Sequence, residues 1–204
     1  MKKLGPFAFA SGLLPFTFLL VPSPARANSA LPGFTGVLTT PTAFSQAFES
    51  GAAGLTRFQG RTRGFLNYGA WESGELTLSA EAGTLRAHAK YTLLEERPRG
   101  PALAVGGIGL LGRDASLYAV AGGNLRIRSG GSQLRLAGGV ATRGALPPLF
   151  ASAELRVSHI AALLAEWSRG LNLGVRVHPT AQVRVMLGFV HRRPGLGVSY
   201  DVGL

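Results

Sequence analysis

Four histidines, His88, His159, His178 and His191, are the side chains best suited to proton transfer or metal binding near neutral pH. None stands at metal-ligand spacing from another, and no His-Glu-x-x-His run occurs. A serine hydrolase would need Ser, His and a carboxylate to converge in space. Ser158, His159 and Glu154 have the right types for that part, but any chain of this size offers such a trio. The plainer reading of these groups is solvated or lumen-lining side chains. The chain contains no Cys, which excludes a thiol nucleophile, a disulfide framework and a Cys-ligated metal or cluster. Gly106-Gly107-Ile108-Gly109 falls inside a strand pattern, where glycine relieves crowding or permits curvature, and is no phosphate cradle. The expectation is a protein without catalytic residues, metal or cofactor.

Charge is the other chemistry on offer. The 204 residues carry 21 Lys+Arg against 10 Asp+Glu, a formal net charge of +11, yet only 15% of them are charged and 29 are Gly. Arg86, Lys90, Arg135, Arg156, Arg176 and Arg184 occupy the polar phase of alternating segments, with His88, Glu75, Glu81, Glu154 and Asp201 on the same phase. If that phase lines a lumen, the wall is net basic and draws anions in, as anion-selective pores do. Anionic polysaccharide is then a fitting ligand. The alternative is that these charges pair across the interior and plug it. Nucleic acid, the usual partner of a basic chain, is disfavoured because no basic cluster occurs and the chain is expected to be exported. The densest basic run, Arg57, Arg61 and Arg63, surrounds an expected turn and is suited to lipid phosphates.

The elements that would position these groups are strands. Residues 75–82 and 84–93 alternate apolar and polar without exception, and the phase inverts at Gly83 as a tight turn allows. The same period of two runs through 149–157, 171–178, 181–189 and 196–204. Less regular candidates lie at 51–59, 63–71, 102–111, 116–124, 132–140 and 160–167. Turn signals separate them, among them Ser129-Gly130-Gly131-Ser132, Pro147-Pro148, His178-Pro179-Thr180 and Arg192-Arg193-Pro194-Gly195. Short connections between successive strands imply antiparallel pairing. The fold expected is all-β, an antiparallel meander β-barrel of about 10–12 strands. Residues 102–111 are apolar on both phases, so part of the interior must be packed or lined by small residues.

The ends of the chain point to an address. Lys2 and Lys3, an apolar run from Phe7 to Val21, and Ala25-Arg26-Ala27 are the three parts of a secretory leader in order. The domain plan is thus a cleaved signal peptide over 1–27, an extended N-terminal segment over 28–50, and a barrel over 51–204. Strands of about ten residues, polar phases sparse in Lys and Glu, and a final strand with Tyr200, Val202 and Leu204 on one face suit a transmembrane barrel of the outer-membrane type. Trp71, Tyr91, Trp167 and Phe189 near strand ends hint at aromatic girdles. A soluble exported barrel binding a small apolar ligand remains an alternative, with its leucines facing inward. So does an outer-membrane enzyme acting on lipid or polysaccharide.

Pro32-Gly33-Phe34-Thr35-Gly36-Val37-Leu38-Thr39-Thr40-Pro41-Thr42-Ala43 resembles the opening motif of the YjbH-like family of outer-membrane β-barrel proteins, which are associated with exopolysaccharide production. Further segments are similar in the same order. They are Ala89–Leu94 with Pro101–Gly106, Ala153–Arg156, Leu164-Ala165-Glu166-Trp167, and Leu171–Pro179. Together they cover much of the chain beyond residue 28. The resemblance implies an outer-membrane location, no catalytic residues, and a structural or transport role in exopolysaccharide production or export. Its implied partners are outer-membrane lipid, anionic polysaccharide and other envelope export proteins.

Overall fold

The computed structural model describes residues 30–32, 36–97, 100–126 and 133–203. The leader expected over 1–27, the 129–132 turn and Leu204 lie outside the described residues. All described regular structure is strand, in twelve elements. These are β1 (Ser50–Phe58), β2 (Arg61–Trp71), β3 (Gly74–Glu81), β4 (Thr84–Leu94), β5 (Ala102–Ile108), β6 (Ser116–Arg126), β7 (Gln133–Ala141), β8 (Leu149–Arg156), β9 (Ala161–Trp167), β10 (Leu171–Val177), β11 (Val183–Val190) and β12 (Arg193–Gly203). Each pairs antiparallel with its sequence neighbours, and β12 closes on β1, from Ser50↔Gly203 to Phe58↔Gly195. The expected meander barrel is therefore closed, and it has twelve strands.

β1 begins and β12 ends at one rim, the proximal one. The distal rim carries the turns that follow each odd-numbered strand. Three of these are two-residue turns with positive φ at both positions: Gln59-Gly60, Ala82-Gly83 and His191-Arg192. That backbone matches the right-handed twist of the paired strands. Glycine takes the second place in two of them. The third uses His191 and Arg192 at φ 50 and 64, so the last turn comes earlier than the Arg192–Gly195 cluster suggests. Pro194 then sits inside β12 without breaking it, because β1 ends opposite Gly195 and no β1 residue pairs with Pro194.

Alternation sorts the strands into an apolar outer wall and a mixed inner one. Leu55, Leu66, Leu76, Leu78, Leu163, Leu173, Leu187 and Val198 point outward and are exposed. Tyr68, Trp71, Tyr91 and Tyr200 form an exposed arc toward the proximal rim, and Trp167 and Phe189 lie toward the distal one. Inside, the two-sided apolar run of β5 lines the lumen with Ala102, Ala104, Gly106 and Ile108, packed with Tyr118, Val120 and Phe150 into an apolar sector. Crowding there is relieved by cross-strand pairs of one large and one absent side chain. Gly106 faces Tyr118, Gly139 faces Phe150, and Gly54 faces Phe65 on the β1–β2 wall. In each pair a Cβ on the glycine would collide with the partner's ring.

The N-terminal segment does not lie outside the barrel; it fills it. Val37, Leu38, Thr40, Thr42 and Ala43 are all buried within the lumen. The segment turns at 36–41, where Gly36 bridges Pro41, and the amide of Leu31 donates to the carbonyl of Leu38 at 2.8 Å. It then descends to the proximal rim, where the amide of Glu49 donates to the carbonyl of Gly69 at 3.0 Å. Of the two fates open to Thr39-Thr40-Pro41-Thr42, strand end or lumen, the fold takes the lumen.

Candidate functional site: a plugged lumen and its basic mouth

Glu166, at the distal end of β9, holds the tip of the plug. Its Oε2 accepts the successive amides of Leu38, Thr39 and Thr40 at 3.2, 2.7 and 2.9 Å, and the Thr40 hydroxyl at 2.9 Å. Its Oε1 accepts from the Thr39 hydroxyl, from Ser168 at 2.8 Å and from the Asn172 amide at 3.0 Å. A buried carboxylate with no adjacent cation is costly unless such donors replace its water. Here seven of them do. Beside this clasp, Leu38 packs on a flat patch of wall, where the cross-strand partners Gly174 of β10 and Gly188 of β11 would each bring a Cβ to 2.8 Å from its Cδ2. A larger residue at either position would force that leucine to shift.

Two further anchors follow. Arg176 on β10 ion-pairs Glu154 on β8 at 2.8 Å, and its other terminal nitrogen donates to the carbonyls of Gly36 and Val37 at 3.0 and 2.9 Å. Lower in the lumen, Lys90 on β4 pairs with Glu75 on β3 at 3.4 Å and donates to the carbonyls of Thr42 and Phe44. Glu75 in turn accepts the Gln46 amide at 2.8 Å. Thr92 donates to the Ala43 carbonyl, and the Arg135 guanidinium lies 4.4 Å over the Phe44 ring. Arg184 and Asp201 form a further buried ion pair between β11 and β12.

Among the described residues, the buried charges are Glu75, Glu154, Glu166 and Asp201 against Lys90, Arg135, Arg176 and Arg184, four of each sign. The mid-lumen is neutral, so the net-basic wall that would attract anions is not there. Of the two arrangements open to these charges, the fold shows the paired and plugged one. The remaining expected site residues sit at the rims. Arg156 is exposed at the proximal end of β8. Glu81 ion-pairs Arg61 and Arg63 at the distal mouth, where Arg63 is half-buried and Arg61 is exposed. Arg86 is half-buried beside them and makes no ion pair among the described residues.

His88 is buried with Nε2 3.1 Å from the Ser79 hydroxyl, while its Nδ1 accepts the Gly109 amide at 3.2 Å. An accepting Nδ1 leaves the proton on Nε2, so this histidine donates toward Ser79 and is in the wrong tautomer to draw its proton off. The trio of Ser158, His159 and Glu154 does not assemble. Ser158 accepts the amides of Ile160 and Ala161, Glu154 faces Arg176 inside the barrel, and His159 is exposed. No three His, Asp or Glu side chains gather at metal-binding distance among the described residues. His178, on the proximal connection after β10, is half-buried, and its pKa falls to about 4 through burial and the nearby Arg184 and Arg176 guanidinium groups.

Sequence reasoning missed Glu166 and Asn172 as site residues. The available signal was phase. Glu166 shares the inward phase of Ala162 and Leu164, and a lone carboxylate on an otherwise apolar inward face needs partners from elsewhere in the chain. The motif Leu38-Thr39-Thr40 supplies them. Residues of three segments that carry the family resemblance, 32–43, 164–167 and 171–179, therefore meet at one place.

Set beside known proteins, the chain matches no protein-family model and no curated protein. The fold defines it as a closed twelve-stranded meander barrel occupied by its own N-terminal segment.

Proposed function

We propose that this protein is an outer-membrane β-barrel of the YjbH-like type, exported through a cleaved leader, and a non-enzymatic structural or transport component of exopolysaccharide production. The observation that carries the membrane reading is the outer wall, where exposed leucines and valines ring the barrel while carboxylates and guanidinium groups point in. In water that arrangement leaves a very large apolar surface exposed, whereas in lipid it is the arrangement of least free energy. The aromatic residues toward both rims suit headgroup depth. A soluble barrel built to bind an apolar ligand needs the opposite facing, with its leucines inside.

The exopolysaccharide role rests on the resemblance, whose segments meet at the plug. A plug made of the chain's own N-terminus, tied by charge and hydrogen bonds rather than by covalent links, suits a component that opens or docks when envelope partners engage it. The test is fractionation of the expressed protein with carbonate washing, followed by gels run with and without boiling. Retention in the outer membrane with a shifted unboiled band is expected. A soluble species without a shift overturns the proposal.

A further inference from the structure

The distal mouth opens into a cavity of about 300 Å³ whose floor is the plug itself. Four guanidinium groups line it, from Arg61, Arg63, Arg86 and Arg169, with Glu81 as the one lining carboxylate among the described residues. Glu81 is already committed to Arg61 and Arg63. Arg169 spends one donor on the carbonyl of Gly144 at 3.1 Å, and Arg86 makes no ion pair among the described residues. The basic excess missing from the mid-lumen is thus concentrated here, on side chains that line one cavity from β2, β4 and the turn after β9.

We propose that this mouth is a binding site for an acidic saccharide, with Arg86 as the group that takes its carboxylate. A guanidinium fork matches a planar carboxylate bidentately, and low-dielectric walls strengthen the pairing. Pro32, Ile108, Pro147 and Val190 supply an apolar surface on the same cavity, which suits the C–H face of a sugar ring and gives nothing to a bare inorganic anion. The cavity extends inward to Thr39 and Pro32 of the plug, so a soluble saccharide can enter it from the barrel's mouth. A ligand here touches Pro32 and Thr39 of the plug, and so bears on the tip that Glu166 holds. The inference deepens the exopolysaccharide reading and rests on it for the ligand's origin. Its test uses purified barrel in detergent, so it fails or succeeds independently of where the protein resides in the cell.

The experiment titrates the folded protein by calorimetry with trigalacturonate, a neutral galactose trisaccharide and inorganic phosphate. Each variant is first checked for the unboiled gel shift. Trigalacturonate is expected to bind, more weakly at high salt, and Arg86→Gln to weaken it about tenfold or more, the size of a lost charged hydrogen-bond pair. Arg156→Gln, which removes the same charge at the opposite rim, is expected to leave binding unchanged. Should Arg86→Gln not fold, Arg169→Gln replaces it, with a several-fold loss expected. No binding of trigalacturonate, equal binding of the neutral sugar or of phosphate, or an equal loss in Arg156→Gln overturns the proposal.

Discussion

The carboxylate of Glu166 accepts the backbone amide of Thr39 at 2.7 Å across 127 residues of chain. That contact joins the wall of the barrel to the tip of its plug, and the neighbouring amides of Leu38 and Thr40 share the same oxygen. Glu166→Gln removes the charge and converts one acceptor into a donor that faces other donors. The variant is expected to lose about 3 kcal/mol of local stability, on the order of a hundredfold in amide protection. Hydrogen exchange at Leu38, Thr39 and Thr40 checks this, and unchanged protection there contradicts the clasp.

Leu38 and Gly188 fit as a pair. Gly188→Ala places a methyl group against the Leu38 side chain and is expected to cost about 1–3 kcal/mol, the usual range for overpacking a filled site. Leu38→Ala leaves a cavity on its own, at about 2–5 kcal/mol. The double variant is expected to be less destabilised than the sum of the two, as contacting residues require. Urea unfolding of all three in one detergent measures the coupling, and strict additivity would show that the two residues do not touch.

Breaking the Arg176–Glu154 pair tests the middle anchor. Arg176→Met removes the cation paired with the Glu154 carboxylate and the donor to two plug carbonyls, with an expected loss of about 3 kcal/mol. Arg176→Met with Glu154→Leu removes both charges and is expected to regain much of that loss. The comparison is read from unfolding midpoints. Equal losses in the single and double variants would mean the cost lies in packing rather than in the lost ion pair.

The strand set was legible because a period of two is a direct consequence of pleating. All twelve expected strands exist, and the inversion at Gly83 coincides with the Ala82-Gly83 turn. Closure was expected from the barrel class as a whole, since nothing local tells β1 that its second neighbour is β12. The inward charges were legible as a phase, but their balance was not. Glu166 makes no ion pair with Arg169, its nearest charged neighbour in sequence, and five of its seven donors come from a segment that alternation leaves undescribed. Arg86 and Arg176 look alike as basic residues on a polar phase. One ends at an open mouth and the other beneath the plug, a distinction made by their position along a strand relative to the path of residues 36–49.

His178 carries the pH dependence that can be read outside the strands. Its pKa of about 4 in the folded chain lies below the ordinary 6.5, so between those values the unfolded chain binds the extra proton. The stabilisation from keeping this ring neutral is fully present above about pH 6.5 and declines as pH falls toward 4. An NMR titration of the ring in detergent is expected to show a midpoint near 4. His178→Gln is expected to flatten the fall in stability over that interval, and a midpoint near 6.5 would contradict the burial beside Arg184 and Arg176.

The central claim is a barrel that turns its leucines to lipid and keeps Leu38 inside. The most direct measurement is paramagnetic broadening of leucine methyl signals in lipid nanodiscs, using a nitroxide on the acyl chains. The account predicts strong broadening of Leu163, Leu173 and Leu187 and sparing of Leu38 and Leu164, which are buried in the lumen. Broadening of Leu38 to the same degree, or sparing of the outer leucines from the acyl-chain probe, would contradict it.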